Sequence, residues 1–309
     1  MQIALHALAS ELRRLKAMGI KHVPVSDGSL GALREALVAR RTGGGRRETA
    51  GVALAPAASQ PEPPAVPRPV QAGAVVATRV AVVSPAQPPP RVTLAAGDKA
   101  TRWAALRDLV LNDPNCRANV REGKKIVLGV GSLEAKIMFV GEAPGAEEEI
   151  QGEPFVGPAG QLLTKMIQGM GVKRGEVYIG NIMNWRPQLP LVAGVEQLGN
   201  RPPTEEEMRY CLPYLRAQID VVNPEILVAL GKTAAQGLLG FGTFEALGEV
   251  RGRWHEFAGK ALMVTYHPSY ILRNQSNRAK RMIWEDLLSV MTRAGLPISE
   301  KQQGYFMDK

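Results

Sequence analysis

Cysteines, aromatic residues and long apolar runs are all scarce in this chain, and each scarcity removes a class of protein. Only Cys116 and Cys211 occur in 309 residues, so no disulfide framework can form and a reducing compartment is expected. No run of about 18 or more apolar residues is present, which leaves no helix to span a bilayer. The opening MQIALHALASELRR lacks the ordered basic start, apolar stretch and small-residue cleavage site of a secretory signal. The expectation is a cytoplasmic, nucleoid-associated protein with no membrane contact. An apolar fraction of 45% is ordinary for a folded chain.

The scarce residues are also unevenly placed. Of the 16 aromatics the first is Trp103, so residues 1–102 lack the large side chains that supply most buried area in a core. Ten of the 23 prolines fall between Pro56 and Pro90. Proline removes backbone donors and fixes φ, which predicts a disordered linker over residues 43–95. Before it, residues 1–42 are expected to form a basic helical segment. Leu5, Leu8, Leu12 and Leu15 there share one helical stripe beside Arg13, Arg14 and Lys16. That stripe suits either docking of a protein partner or packing on the chain's own folded domain. Residues 1–95 carry 12 Lys+Arg against 5 Asp+Glu, and the remainder 26 against 24. The basic excess that suggests a nucleic-acid partner therefore sits mostly in the N-terminal extension.

From residue 96 to 295 the pattern alternates. Lys136–Val140, Val177–Ile182, Ile226–Leu230 and Ala261–Tyr266 are short apolar runs. Between and after them lie segments with helical spacing, at 159–170, 204–222, 232–239 and 278–294. Thr204 and Glu207 form a capping-box signature. Apolar strands alternating with helices predict an α/β fold, with a parallel sheet covered on both faces. Residues 296–309 are set apart as a C-terminal tail.

Ligands in such sheets bind beyond the carboxyl ends of the strands. That rule selects GEAPG (141–145), Asn181, Gly231-Lys232 and His267-Pro268-Ser269. GEAPG is not a phosphate loop, because no Lys-Ser/Thr pair follows. Its carboxylates Glu142, Glu147, Glu148 and Glu149 read mainly as a solvated acidic turn. Phe155 could stack on a planar ligand or pack in the core. Asn181 could read a base edge or cap a strand end. His267 could supply a donor or a proton, or be structural. Two cysteines without a Cys-x-x-Cys companion do not support a zinc site.

As an ordered set these segments are much more specific. GEAPGAEEEIQGEPFVGPAGQLL, YIGNIMNWRP, NRPPT, a strand ending in LG, VRGRW and TYHPSYILR follow one another. From about Cys116 to about residue 292 the chain resembles the uracil-DNA glycosylase superfamily, in the branch known as family 4. The resemblance implies a three-layer α/β/α sandwich with a four-stranded parallel sheet. It implies hydrolysis of the bond between uracil and deoxyribose in DNA, by a base-flipping, DNA-binding monomer that starts base excision repair. Carried over by position, Glu142 and Ala143 shape the water and uracil site, Phe155 stacks on uracil, and Asn181 reads its O4 and N3–H edge. His267 hydrogen-bonds O2 and stabilises charge on the leaving base, while Glu148 assists. Ser269 to Arg273 press on the DNA, with Leu272 or Arg273 filling the vacated stack. A non-catalytic DNA-binding protein of the same fold, and a glycosylase for another deaminated base, are the alternatives.

Three departures stand out. Family 4 members typically hold an iron–sulfur cluster on four cysteines, and Cys116 and Cys211 match two of those positions. The partner of Cys116 would fall at Asp113 or Asn119, and the third position is Trp185. Two thiolates cannot complete four-cysteine ligation, so no cofactor is expected and Trp185 should fill the space. An insert, QLPLVAGVEQLG (188–199), separates Arg186-Pro187 from Asn200-Arg201. A sibling branch forms a covalent DNA adduct through a histidine in this region, and the insert has none. Ala143 stands where some glycosylase families place a water-orienting aspartate.

Overall fold

The computed structural model describes residues 88–189, 197 and 199–307. The leucine stripe, most of the proline-rich linker, most of the 188–199 insert and the last two residues lie outside the described residues. Among those described, no helix is long and apolar enough to cross a membrane.

The chain runs through α1 (Lys99–Asn112), α2 (Pro114–Ala118), β1 (Val130–Gly131), β2 (Ile137–Gly141), α3 (Ala146–Gln151), α4 (Pro158–Gly169) and β3 (Tyr178–Asn181). It continues through α5 (Glu205–Val222), β4 (Ile226–Leu230), α6 (Lys232–Leu239), α7 (Leu247–Val250), β5 (Trp254–Phe257) and β6 (Lys260–Thr265). It ends with α8 (Pro268–Arg273), α9 (Asn277–Arg293) and α10 (Glu300–Gln303). The sheet order is β1-β3-β2-β4-β6-β5. The four strands legible in the sequence pair in parallel at its centre. The four-stranded expectation is corrected at the edges, where β1 and β5 pair antiparallel to give six strands. β1 is two residues long, and β5 reads Trp-His-Glu-Phe, too short and too polar for a core-strand pattern.

Alternation along each central strand divides the core into two layers, because successive side chains leave opposite faces of a sheet. Met138, Val140, Leu227, Ala229, Leu262 and Val264 join α1, α5 and α6 on one face. Ile137, Phe139, Ile226, Val228 and Met263 join α4 and α9 on the other. Each fully buried Leu, Ile or Phe adds about 1.5–3 kcal/mol relative to exposure. The Thr204–Glu207 capping box forms as expected, each backbone N–H donating to the other residue's side chain.

Both margins of the folded part exceed the sequence expectation. Val92 and Leu94, in the stretch assigned to the linker, pack on the α1/α5 layer. Residues beyond 295, set apart as a tail, pack as well. Trp284 Nε1–H donates to the Gln302 carbonyl at 2.6 Å, and Gln302 Nε2–H donates to the Gly169 carbonyl at 2.8 Å.

Candidate active site

The carboxyl ends of β2, β3, β4 and β6 open into a cavity of 470 Å³. Glu142, Ala143, Glu148, Phe155, Asn181, His267, Ser269 and Arg273, all singled out in the sequence, line it together. Leu272 does not line it; its side chain stands 41% exposed on α8. Asn200, Ala159, Leu230 and Lys232 also line the wall. Asn200 enters the sequence reading as the first residue of NRPPT, with no role assigned; the fold brings it in through Arg186, whose Nε–H donates to Asn200 Oδ1 at 2.8 Å.

Phe155 is held in a backbone conformation that few non-glycine residues adopt, with φ of 55°. Its neighbours pin it from both sides. Arg174 Nη2–H donates to the Pro154 carbonyl at 2.7 Å. Glu148 Oε1 accepts from the Val156 and Gly157 N–H groups at 3.0 Å each, and its Oε2 accepts from Gly145 N–H at 3.1 Å. Three backbone donors converge on this carboxylate, so it fastens the GEAPG turn to the Phe155 loop. Two glycines permit the close approach. A Cβ on Gly141 would lie 2.4 Å from Asn181 Oδ1 and 2.5 Å from the Phe155 ring, and one on Gly160 would lie 1.8 Å from the Phe155 carbonyl oxygen. Any side chain at Gly141 would displace both groups.

Asn181, at the end of β3, is 6% exposed, and its Oδ1 has no hydrogen-bond partner. A buried acceptor without a donor costs about 1–3 kcal/mol, a cost that a ligand N–H would remove. His267 caps α8: Ser269 N–H donates to its Nδ1 at 3.1 Å, and Ser269 Oγ lies 2.8 Å from the same nitrogen. With Nδ1 accepting, the ring proton belongs on Nε2. Burial, helped by the nearby Arg273 cation and opposed by Glu148, pushes the imidazole pKa down to about 4. The ring is therefore neutral at physiological pH and still a donor. The Phe155 and His267 ring centroids lie 5.7 Å apart, tilted by 32°. Burial raises the Glu142 carboxyl, and a hydrogen bond from Thr233 opposes that shift.

Residues 128–288, just over half of the chain, match the model of the uracil DNA glycosylase superfamily. The chain belongs to that superfamily. The type-4 uracil-DNA glycosylase of Thermotoga maritima is 42% identical over 163 residues, covering 52% of this chain and 79% of that protein. The type-4 enzyme of Pyrobaculum aerophilum is 39% identical over 181 residues, covering 57% of this chain and 87% of its own length. A type-5 uracil-DNA glycosylase from Thermus thermophilus is 28% identical over 213 residues, or 66% and 96% of the two chains. The α/β fold and the glycosylase assignment read from the sequence agree with this kinship.

One corner of this glycosylase differs from the family pattern in its chemistry. Cys116 and Cys211 are both fully buried in the α1/α5 layer. Burial, more than any neighbouring charge, pushes both thiols up. Asp113 caps α2, its Oδ1 accepting from Cys116 N–H at 2.6 Å and its Oδ2 from Tyr210 O–H at 2.8 Å. Trp185 is 2% exposed, with its ring centroid 6.2 Å from that of Tyr210. Two thiols, an engaged carboxylate and an indole do not supply the four thiolates of an iron–sulfur cluster.

Proposed function

We propose that this glycosylase hydrolyses the N-glycosidic bond of deoxyuridine in DNA, yielding free uracil and an abasic site that enters base excision repair. The single observation that carries this reading is the partnerless Asn181 acceptor, in one cavity with the Phe155 and His267 rings. Uracil presents an N3–H donor beside an O4 acceptor, the complement of an amide's oxygen and NH₂. Cytosine presents an acceptor and an amino group there, so the same amide meets both with the wrong partner. Phe155 gives the extruded base a face to stack on, offsetting part of the few kcal/mol that unstacking costs.

As the C1′–N1 bond breaks, its electron pair moves onto the base and the sugar acquires oxocarbenium character. The neutral His267 donates its Nε2–H to the developing charge on O2. Water adds to C1′ from the Glu142–Ala143 turn, with Glu142 the carboxylate placed to take its proton. Glu148, read from the sequence as a catalytic carboxylate, acts instead as a positioning residue, because both its oxygens hold backbone donors. Ser269 and Arg273 at the mouth, with the exposed Leu272 beside them, face the DNA. The enzyme works without a cluster or any other cofactor, Trp185 occupying that space as packing. The donor chemistry around Cys116 and Cys211 supports this.

Incubation with a uracil-containing oligonucleotide, followed by alkali, should break the strand at the uracil and nowhere else. A panel with hypoxanthine, xanthine, cytosine or thymine at that position should remain intact. Cleavage only at another base would reject the uracil reading, and an unbroken uracil strand would reject glycosylase chemistry on this substrate. Purified protein should carry no stoichiometric iron and no broad absorbance near 400 nm.

A further inference from the structure

A second cavity, of 870 Å³, lies along α1 and the chain between α2 and β1. Arg107, Arg117, Arg121, Lys124 and Lys125 line it, and Glu153 is the one carboxylate among its lining residues. Residues 96–309 as a whole carry 26 Lys+Arg against 24 Asp+Glu. This groove therefore concentrates cations that the rest of the domain balances. Crowding like charges is unfavourable unless an anion neutralises them. All five cations precede residue 128, where the match to the superfamily model begins.

A small-molecule pocket is mostly apolar with a few placed polar groups; this one sets five cations and a single carboxylate among apolar and glycine residues, with the aromatics Trp103 and Tyr178 also lining it. Trp103 is half-buried and meets the Tyr178 ring edge-on at 6.0 Å. Cations that track a backbone, beside a side chain on which bases stack, make a surface for single-stranded nucleic acid. One stretch of chain lines both the groove and the candidate active site. Gln151, Gly152 and Glu153 line the groove, and the same stretch supplies Glu148 and Phe155 to the catalytic cavity.

We propose that this groove binds a single strand of DNA outside the catalytic cavity, without regard to sequence. The inference rests on the reading that the substrate is DNA. It is tested on the full chain by fluorescence anisotropy with a labelled, uracil-free oligonucleotide over a range of salt. Arg107, Arg117 and Lys125 are exposed, so the combined variant Arg107→Ala/Arg117→Ala/Lys125→Ala should fold normally. Each phosphate contact on a single strand contributes about 0.7 to the slope of log affinity against log salt, so three lost contacts should reduce that slope by about two. Affinity at low salt should fall at least about tenfold. The charge-retaining counterpart Arg107→Lys/Arg117→Lys/Lys125→Arg should keep the wild-type slope, and Trp103→Leu should weaken single strands more than duplex.

An unchanged slope in the alanine variant overturns the proposal. So does displacement of DNA by poly-glutamate at equal charge concentration, which would assign the groove to an acidic protein. Because the probe lacks uracil, the two readings fail separately. Absent uracil cleavage with a reduced slope sinks the proposed function alone, and intact cleavage with an unchanged slope sinks the groove alone.

Discussion

The candidate active-site cavity and the corner around Cys116 and Cys211 each hold a buried polar atom without a partner, and the first belongs to a residue that lines the cavity. Asn181 Oδ1 belongs to a residue lining a 470 Å³ cavity with His267 and Phe155. Trp185 Nε1 is equally partnerless, but its ring is packed among the buried side chains of the α1/α5 layer. An unsatisfied group costs folding free energy in either place. It becomes a recognition element only where a ligand can reach it. One corner is built to receive a molecule, and the other is filled by its own side chains.

Substitutions that act on one region and spare the other would sharpen that contrast. The largest effect is expected in the cavity. Asn181→Asp or His267→Ala should lower single-turnover cleavage by roughly a hundred- to a thousandfold, the usual cost of removing a fixed donor from a developing anion or a matched contact from the base. Near-wild-type rates in both would break the site assignment.

Next is the ion pair beneath the cavity. Arg186 Nη1–H donates to Glu149 Oε1 at 2.8 Å, both residues are buried, and Arg186 also holds Asn200. Glu149→Ala leaves an unpaired buried cation and should cost about 3–5 kcal/mol in denaturant unfolding. A loss under 1 kcal/mol would show that the pair does not brace the rim.

Acid should separate the regions next. His267 holds its proton less tightly in the folded state (about 4) than an unfolded histidine (6.5). The stability it contributes is thus present above pH 6.5 and is lost as pH falls toward 4. The His267 ring, followed by its NMR chemical shift, should stay neutral from about pH 7 to about 5 and gain its proton near 4. A ring midpoint near 6.5 would contradict the buried, neutral imidazole. The smallest effect is expected from Cys116→Ala/Cys211→Ala, which deletes two small buried groups and should cost about 1–3 kcal/mol with no change in cleavage rate. A selective loss of activity would overturn the contrast between the two corners.

Much of the fold was legible because its signals are local. The four apolar runs, the Thr204–Glu207 box and the breaks at 141–145, 181, 231 and 267 each depend on residues adjacent in the chain. Helix α1 escaped notice, since Lys99–Asn112 has little amphipathic contrast and is started by Asp98 accepting from Thr101 N–H at 2.7 Å. The candidate site was half legible. Phe155, Asn181 and His267 stand at strand ends or in a specific motif. Asn200 owes its place to a partner 14 residues away, and the Glu148 role depends on where its oxygens point.

By itself the sequence determined the alternation of strands and helices, the side chains that cap the strands and the shortage of thiols, since these follow from residue type and spacing. Only the tertiary structure decided which of those side chains meet. Packing sets distances between residues far apart in the chain, and it is packing that buries the Asn181 oxygen without a donor, neutralises the His267 ring by burial, and gathers five cations from α1 and the chain after it into one groove.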